Sequence, residues 1–572
     1  MKPEIAIGAQ DFEYIRKYHY FFVDKTSFIR QWWEGGDVVT LITRPRRFGK
    51  TMNLNMANCF FSNVYAGRSD LFEGLSIWEE EKYRELQGTY PVIFLSFANV
   101  KGNTYEAAKK GIIQALVKLY STHAYVRTEK FLNEKDLAYF DSVGVDMPED
   151  VSVLSLMYLS DYLSRYYGKK VLILLDEYDT PLQEAYVNGY WDDLVPFIRS
   201  LFNSTFKTNP YMERGLITGI TRVSKESIFS DLNNLVAVTT TSEQYCTQFG
   251  FTEEEVFRSL DLFGMGNRKA DVKEWYDGFT FGSCKDIYNP WSITCFLKEK
   301  VLKPYWANSS ANKLVGTLIQ QGTPETKEIM EDLLAGKALE TEIDEEIIFD
   351  QLGRKRGALW SLLLASGYLK ADQKTFSGET GRFTYRLVLT NREVRLMMED
   401  LIRDWFAEDS VPYSAFLKAL LIGDTEYMNE YMNQIAEVTF SFFDTGNRPS
   451  ANADPERFYH GFVLGLIVEL AGRYRITSNR ESGFERYDVM MEPLNRKDPA
   501  FVLEFKVRNP RREKSDCIES WWLASVSSGS PLHVCCCRCE IGAWSSSIGS
   551  KASESLVRDG YCVPVCFQIS KF

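Results

Sequence analysis

Residues 38–51 read VVTLITRPRRFGKT, an apolar run followed by a basic loop and the tripeptide Gly49-Lys50-Thr51, and an apolar helical stretch comes next. A loop between a strand and a helix N-terminus directs backbone N–H groups and the helix dipole at an anion. A lysine at this place can reach the β- and γ-phosphates of a nucleotide, and a threonine can hold Mg²⁺. We therefore predict that Gly49, Lys50 and Thr51 bind ATP.

The loop departs from the pattern G-x-x-x-x-G-K-[ST] at its first position, where Arg44 stands in place of glycine. Gly-Lys-Thr alone is a common tripeptide, so the prediction needs support from a second motif.

The second motif is VLILLDEYDTPL (171–182), a buried-strand run with acidic residues at its carboxyl end. Ligands of open α/β sheets bind at that end of the strands. We predict that Asp176 binds Mg²⁺ directly or through water, and that Glu177 orients or deprotonates the attacking water. Asp179 adds a third acidic group. The alternative is a solvated acidic turn after a core strand, but the order of the two motifs favours an ATP site.

Four apolar runs alternate with helical patterns over residues 1–245, as expected of a parallel sheet covered on both faces. The runs are VVTLIT (38–43), VIFLSF (92–97), VLILLD (171–176) and GLITGIT (215–221). The fold class predicted is α/β, with a P-loop NTPase-type parallel sheet.

The fourth run ends at Thr221-Arg222, and Ser224 and Ser227 follow. A cation at a strand end beside the nucleotide can sense the γ-phosphate or stabilise the transferred charge, which makes Arg222 a catalytic candidate. A strand-capping threonine and a surface arginine are the alternative interpretation.

The chain has 572 residues, more than one hydrophobic core normally supports, so we expect three or more packed units. Its formal net charge of -12 argues against a generally basic surface, so any DNA contact must be local.

Charges precede any apolar run at the N-terminus, and no apolar stretch of about 18 residues occurs. Cys59, Cys246, Cys284 and Cys295 are scattered singles. These features predict a cytoplasmic protein without membrane contact.

Pattern changes divide the rest of the chain. Residues 246–344 turn helical around two aromatic segments and are predicted to form a helical lid. Residues 345–450 hold a helical pattern, a turn at Ser377-Gly378 and the strand FTYRLVLT, an order consistent with a small winged-helix unit. The turn-rich segment 445–457 is predicted to be a linker before a C-terminal domain over residues 455–514.

The C-terminal domain contains GFERYDVMMEP (483–493) and then PAFVLEFKV (499–507). Glu504 and Lys506 are two residues apart on a predicted strand and share one face, and Asp488 on a neighbouring strand can meet them. Asp488 and Glu504 are candidate Mg²⁺ ligands, and Lys506 would steady the nucleophile or the developing charge. Glu469 is a further candidate acid. Alternating exposed Glu and Lys beside buried Phe505 and Val507 is the structural alternative.

A family resemblance rests on FVDKT (22–26), RPRRFGKT (44–51), LLDEYDTPL (174–182), LITGITRVSKESIFSDLNNL (216–235) and the WYDGF…YNPWS segment (275–292). Together they resemble the bacterial AAA-ATPase-like family that is often joined to a PD-(D/E)XK nuclease-like domain, and residues 479–507 resemble that second domain. The resemblance implies an arginine-rich nucleotide loop, in which Arg46 and Arg47 contact the nucleotide. It also implies that Asp24-Lys25-Thr26 lies near the nucleotide.

Residues 515–572 form an atypical tail, which holds seven of the eleven cysteines and is rich in serine. We hypothesise that a reading-frame change replaced the authentic end, so that the nuclease-like fold is incomplete. The alternative is a zinc site at Cys535, Cys536, Cys537 and Cys539 with His533, although adjacent cysteines chelate poorly compared with C-x₂-C spacing.

Three functions remain open on the sequence. The first is an enzyme in which ATP hydrolysis controls a Mg²⁺-dependent nuclease, the second a nucleotide-gated binding or signalling protein, and the third a degraded member that only binds ATP. The expected partners are ATP and, through the C-terminal domain, DNA. A basic patch of Arg508, Arg511, Arg512 and Lys514 would carry the DNA contact, with a solvated surface loop as the alternative. The oligomeric state is left open.

Overall fold

A computed structural model gives the fold of the chain in two compact units. The residues that it describes are 2–128, 131–222, 228–229, 232–306, 313–320, 324–344, 357–378, 381–407, 413–424, 427–428, 431, 463–464, 467, 470, 472–482, 485–495, 498, 500–508 and 562–570. The first unit comprises Met1–Leu318 and Gly336–Met397, and the second comprises Ile319–Ala335 and Met398–Phe572.

The first unit is built on a five-stranded sheet in the order β2-β3-β4-β1-β5, with every pairing parallel. The strands are β1 (Val39–Thr43), β2 (Val92–Ser96), β3 (Val171–Asp176), β4 (Met212–Gly219) and β5 (Leu235–Val238). The predicted α/β class is confirmed, and β1 to β4 each overlap one of the four apolar runs. Strand β5 was not predicted.

Helices cover both faces of this sheet. They are α1 (Phe12–Lys17), α2 (Ser27–Gly35), α3 (Lys50–Phe61), α4 (Glu81–Leu86), α5 (Tyr105–Thr122), α6 (Glu134–Ser142), α7 (Glu149–Tyr167), α8 (Thr180–Asn188) and α9 (Trp191–Phe202). Successive strand residues alternate between two cores: Ile173 faces the core that contains α5, α7 and α9, and Leu174 faces the core that contains α2 and α3. Because both faces are buried, most residues of the strands are apolar.

Residues 251–299 of the same unit combine helices with a small antiparallel sheet of order β6-β8-β7. The elements are β6 (Phe251–Thr252), α10 (Glu253–Leu262), α11 (Lys269–Tyr276), β7 (Phe279–Phe281), β8 (Cys284–Tyr288) and α12 (Pro290–Glu299). The sequence predicted the helices of this region but not its strands. Cys246 and Cys284, which the sequence presents as scattered singles, form a disulfide with their Cα atoms 6.0 Å apart.

A buried ion pair ties the N-terminal segment to α10. Lys25 Nζ lies 2.7 Å from Glu255 Oε2, with the lysine side chain 9% exposed, and it also donates to the carbonyl of Thr247. Burial lowers the pKa of Lys25, while the charge of Glu255 opposes this shift. Asp24 accepts hydrogen bonds from the backbone and hydroxyl of Thr26. Asp24, Lys25 and Thr26 therefore all form hydrogen bonds or ion pairs within the protein.

Glu255→Gln is expected to lower the free energy of unfolding by about 3 kcal/mol, because the buried ammonium of Lys25 loses its counter-charge. Glutamine keeps the acceptor that caps the Thr252 backbone N–H at the start of α10. Urea denaturation followed by circular dichroism measures the change. The matched control is Glu254→Gln, which breaks an exposed pair with Arg258 and is expected to change stability by less than about 0.5 kcal/mol. Equal losses in both variants would contradict the prediction.

The last part of the first unit has the helix-and-hairpin order of the predicted winged-helix unit. Its elements are β9 (Leu339–Glu342), α15 (Ala358–Ala365), β10 (Leu369–Ser377), β11 (Arg382–Leu389) and the start of α16 (Arg392–Ala407). The strands form an antiparallel sheet of order β10-β11-β9. Two further helices in the chain are α13 (Lys313–Gln320) and α14 (Pro324–Leu334).

The second unit contains α17 (Tyr413–Ile422) and a four-stranded sheet. The sheet has the order β12-β13-β14-β15, in which β12 (Tyr474–Ser482), β13 (Glu485–Pro493) and β14 (Ala500–Arg508) are antiparallel and β15 (Cys562–Ser570) runs parallel to β14. The sequence did not predict β15, which lies in the serine- and cysteine-rich tail. None of the helices in the described parts of the chain has the length and apolar character needed to span a bilayer.

Candidate nucleotide site

The predicted phosphate loop connects β1 to α3. Gly49 is the N-cap of α3 and has a φ of 79°, in the left-handed region that favours glycine. Lys50 and Thr51 form the first turn of the helix, where backbone N–H groups lack partners within the helix. The N-terminus of α3 thus has the geometry of an anion site.

The side chain of Lys50 is held inside this loop. Its Nζ donates hydrogen bonds of 2.8 Å to the carbonyl oxygens of Arg44 and Pro45. Burial lowers the pKa of Lys50 to about 8, and the nearby charge of Glu177 opposes the shift. The loop therefore places a buried amine next to the acidic end of β3.

Thr51 and Asp176, each predicted from the sequence as a Mg²⁺ ligand, are in direct contact. Thr51 Oγ1 donates to Asp176 Oδ2 at 2.8 Å, and Thr218 Oγ1 donates to Asp176 Oδ1 at 2.5 Å. The Asp176 side chain is almost fully buried, so these two hydroxyls fix its orientation. The sequence reasoning missed Thr218, although a polar residue near the end of the buried strand β4 was a usable signal.

Glu177 follows β3 and is only half-buried. Its backbone has a φ of 51°, which turns the chain sharply after the strand. Burial raises the pKa of Glu177, and the negative charge of Asp176 raises it further. Thr180 Oγ1 donates to Glu177 Oε2 at 3.2 Å. A carboxylate with a raised pKa at the rim of this candidate site has the properties of a general base.

Asp179 instead organises the end of β4. Its Oδ2 accepts hydrogen bonds from the backbone N–H groups of Ile220 and Thr221 and from the Thr221 hydroxyl, at 3.0, 2.9 and 2.9 Å. Gly219 allows this close approach, because a Cβ there would lie 2.5 Å from the Tyr178 ring. Asp179 and Thr221 are therefore hydrogen-bonded to each other.

Arg222 is half-buried and lines a cavity together with Thr43 and residues 239–241 at the carboxyl ends of β1 and β5. It lies at the predicted edge of the sheet, and its action on a γ-phosphate stays a prediction. Ser224 and Ser227 lie outside the described residues.

Arg44, which replaces the first glycine of the motif, points into the protein. Its guanidinium is fully buried and donates to the carbonyls of Thr43 and Thr239 at 2.9 and 2.6 Å, and it lies 4.7 Å from the ring centre of Phe281. Burial lowers the pKa of Arg44 to about 9. Arg44 thus ties the end of β1 to the segment after β5.

The other two arginines of the loop lie nearer the surface. Arg46 Nη2 donates to Gln183 Oε1 at 3.2 Å. Arg47 is exposed, has a φ of 65°, and stacks with its Cζ 4.4 Å from the ring centre of Trp291. Between them and the helix, Phe48 packs edge-on against Phe279.

The described backbone of the second unit places its candidate residues on adjacent strands. Asp488 lies on β13, and Glu504 and Lys506 lie on β14. The antiparallel register pairs Val489 with Leu503, each of which is next to one of the two candidate acids. Glu469 lies outside the described residues, and the same holds for the zinc candidates His533, Cys535, Cys536, Cys537 and Cys539 and for Arg511, Arg512 and Lys514 of the basic patch.

A strand, loop and helix that set a buried lysine and a threonine against the acid of a nearby strand have the arrangement of a P-loop-type domain. Residues 6–229 match the family model described as predicted AAA-ATPase, and residues 454–520 match the PD-(D/E)XK nuclease superfamily. The predicted architecture is confirmed: an AAA-ATPase-like domain is followed by a nuclease-like domain.

One relative found among curated proteins is described as "Uncharacterized protein in vnfD 5'region" of Azotobacter chroococcum mcd 1. It is 25% identical over 403 residues, which cover 70% of this chain and 70% of that protein.

Proposed function

We propose that the first unit binds ATP with Mg²⁺ and hydrolyses it. The observation that carries the proposal is the contact between Thr51 Oγ1 and Asp176 Oδ2 at 2.8 Å, next to the buried Lys50 at the start of α3. Lys50, Thr51 and Asp176 come from two separate sequence motifs. The lysine suits the phosphates of a nucleoside triphosphate, and the hydroxyl and the carboxylate suit its Mg²⁺.

Phosphate binding is assigned to the loop and the first turn of α3. The backbone N–H groups from Gly49 onward would donate to phosphate oxygens, and Lys50 would exchange its two carbonyl partners for the β- and γ-phosphates. Arg46 and Arg47, at the outer rim of the loop, would contact the nucleotide where it meets solvent.

Thr51 and Asp176 would hold Mg²⁺, since a hydroxyl and a carboxylate oxygen at neighbouring positions are the donors that this cation prefers. When bound, Mg²⁺ neutralises charge on the β- and γ-phosphate oxygens. Thr218 keeps the Asp176 carboxylate in place through its hydrogen bond.

Glu177 would accept a proton from the water that attacks the γ-phosphate, and Arg222 would stabilise the charge that is transferred. The raised pKa of Glu177 makes its carboxylate a better proton acceptor than an ordinary surface glutamate.

Calorimetric titration of the purified full-length chain with ATP and Mg²⁺, followed by a phosphate-release assay, tests this proposal. Saturable binding with turnover is expected. If the chain binds no nucleotide, the loop is a scaffold and the ATPase assignment is wrong.

For the second unit we propose a Mg²⁺-dependent nuclease site in which Asp488 and Glu504 bind the metal and Lys506 steadies the nucleophile. Support comes from the match of this region to the PD-(D/E)XK nuclease superfamily and from the placement of the two acids on paired strands. The alternative is that this domain recognises nucleic acid or another partner without cutting it, under the control of the ATP-binding unit.

Asp488→Ala and Glu504→Ala are each expected to abolish cleavage of DNA by the full-length chain in the presence of Mg²⁺ or Mn²⁺ and ATP. Loss of one metal ligand removes the charge that activates the water. Gel analysis of linear and supercoiled DNA measures the effect, with Glu492→Ala on β13 as the control that should still cut. Absence of cleavage by the wild-type chain would instead favour the recognition alternative.

A further inference from the structure

The backbone of the phosphate loop is held from outside by two side chains far away in the sequence. The carbonyl oxygen of Arg46 accepts a hydrogen bond of 3.3 Å from Asn289 Nδ2 and one of 3.0 Å from Trp306 Nε1. Arg46 lies between the two carbonyls that bind Lys50 and the glycine that starts α3. The orientation of this peptide therefore influences where the loop N–H groups point.

Both donors to that carbonyl are held in turn by one carboxylate, Glu393. Its Oε1 accepts the backbone N–H of Trp306 at 2.6 Å, and its Oε2 accepts the Ser292 hydroxyl at 2.8 Å. Ser292 lies in the first turn of α12, whose N-cap is Asn289. Glu393 is thus connected to the Arg46 carbonyl by two separate routes.

The burial of Glu393 is complete, with a relative exposure of 0%. A buried carboxylate is unfavourable unless hydrogen bonds compensate it, and a helix N-terminus lowers the penalty further. Glu393 occupies the first turn of α16, and it binds to Trp306 and Ser292 across 87 and 101 residues of sequence. A leucine would be enough if this position only filled space in the core. The carboxylate indicates that Trp306 and Ser292 have to be held in a fixed orientation.

We propose that Glu393 is a positioning residue of the phosphate loop: it fixes Asn289 and Trp306, which fix the Arg46 peptide and with it the loop N–H groups. The inference rests on the proposed nucleotide binding. It adds that the affinity of the loop depends on how the N-terminus of α16 is seated on residues 289–306. Displacement of α16 would loosen the loop, and a bound nucleotide would stabilise the seated position.

The alternative is that Glu393 only holds the winged-helix-like region in place, with no effect on the loop. Trp306→Phe separates the two, because it keeps an aromatic ring but removes the indole N–H that binds the Arg46 carbonyl. Asn289→Asp likewise keeps the acceptor that caps α12 and removes the amide donor. Tyr276→Phe is the matched control, since it deletes the two hydrogen bonds between the Tyr276 hydroxyl and the Lys303 backbone in the same region without touching the loop.

The test measures the Kd of Mg·ADP by calorimetry, together with hydrogen exchange of the amides of residues 44–51 in nucleotide-free protein. Trp306→Phe and Glu393→Leu are each expected to weaken Mg·ADP binding about tenfold and to speed exchange in the loop. Combining them should weaken binding by much less than a hundredfold, because both act on one carbonyl. Glu393→Gln, which keeps an acceptor for the Trp306 N–H, should recover part of the affinity.

Unchanged affinity and exchange in Trp306→Phe and Asn289→Asp would overturn the inference, even if Glu393→Leu fails to fold. Additive losses in the double variant would also overturn it. If wild-type protein binds neither Mg·ADP nor Mg·ATP, the proposed function fails, and the loop exchange rates still decide whether Glu393 positions the loop.

Discussion

Replacement of Glu177 by glutamine is expected to leave ATP binding intact and to slow turnover by about 100- to 10,000-fold, the usual contribution of a general base. The amide keeps the size and the hydrogen bond from Thr180 but cannot accept the proton of the attacking water. Phosphate release under saturating ATP measures turnover, and calorimetry measures binding. The control is Glu184→Gln on α8, which changes the same chemical group on the next helix and should turn over at the wild-type rate.

The pH profile gives a second check on Glu177. Burial and the charge of Asp176 raise the pKa of Glu177, so the active carboxylate form is lost as the pH falls through a value above the ordinary glutamate range. Turnover should therefore rise with pH across that value in the wild-type protein and lose this limb in Glu177→Gln. A variant that keeps the full rate would show that another group takes the proton.

Lys50→Ala is expected to weaken ATP binding by at least about 100-fold, since the loop loses the charge-assisted hydrogen bonds that an ammonium gives to phosphate. Because burial lowers the pKa of Lys50 to about 8, the free protein loses the ammonium as the pH rises through that value. ATP affinity should then decline above pH 8 in the wild type. Calorimetric titrations across this range measure both effects.

Lys118→Ala on the exposed side of α5 is the control for the loss of a positive charge and should bind ATP like the wild type. Retained affinity in Lys50→Ala would mean that the triphosphate does not bind at the N-terminus of α3. Circular dichroism of both variants separates a binding defect from unfolding.

The sequence predicted β1 to β4 because each is an apolar run buried on both faces, which leaves little ambiguity. Strand β5 was missed because it has only four residues, LVAV, and three of them are partly exposed at the sheet edge. The small sheet β6-β8-β7 was missed because its strands are two, five and three residues long, in that order. Short strands carry too few residues for their period to be recognised.

The sequence predicted Thr51 and Asp176 separately as Mg²⁺ ligands, because each lies in a motif that follows an apolar strand, and the structure brings the two side chains into contact. The different roles of the acids could not be predicted: Asp179 lies only two residues after Glu177, yet it binds the end of β4. The role of Glu393 could not be predicted either. Its contacts with Trp306 and Ser292 are tertiary, and no local pattern distinguishes it from other acids at the start of a helix.

The inward-pointing Arg44 has a consequence for the detection of such loops by sequence-motif matching. Restoring the consensus glycine would remove the shared donor of the Thr43 and Thr239 carbonyls and open a hole beside Phe281. Arg44 and the segment after β5 therefore depend on each other for hydrogen bonding and packing. A substitution at position 44 would require compensating substitutions in that segment. A pattern match that scores the position alone would discard a loop whose architecture is intact.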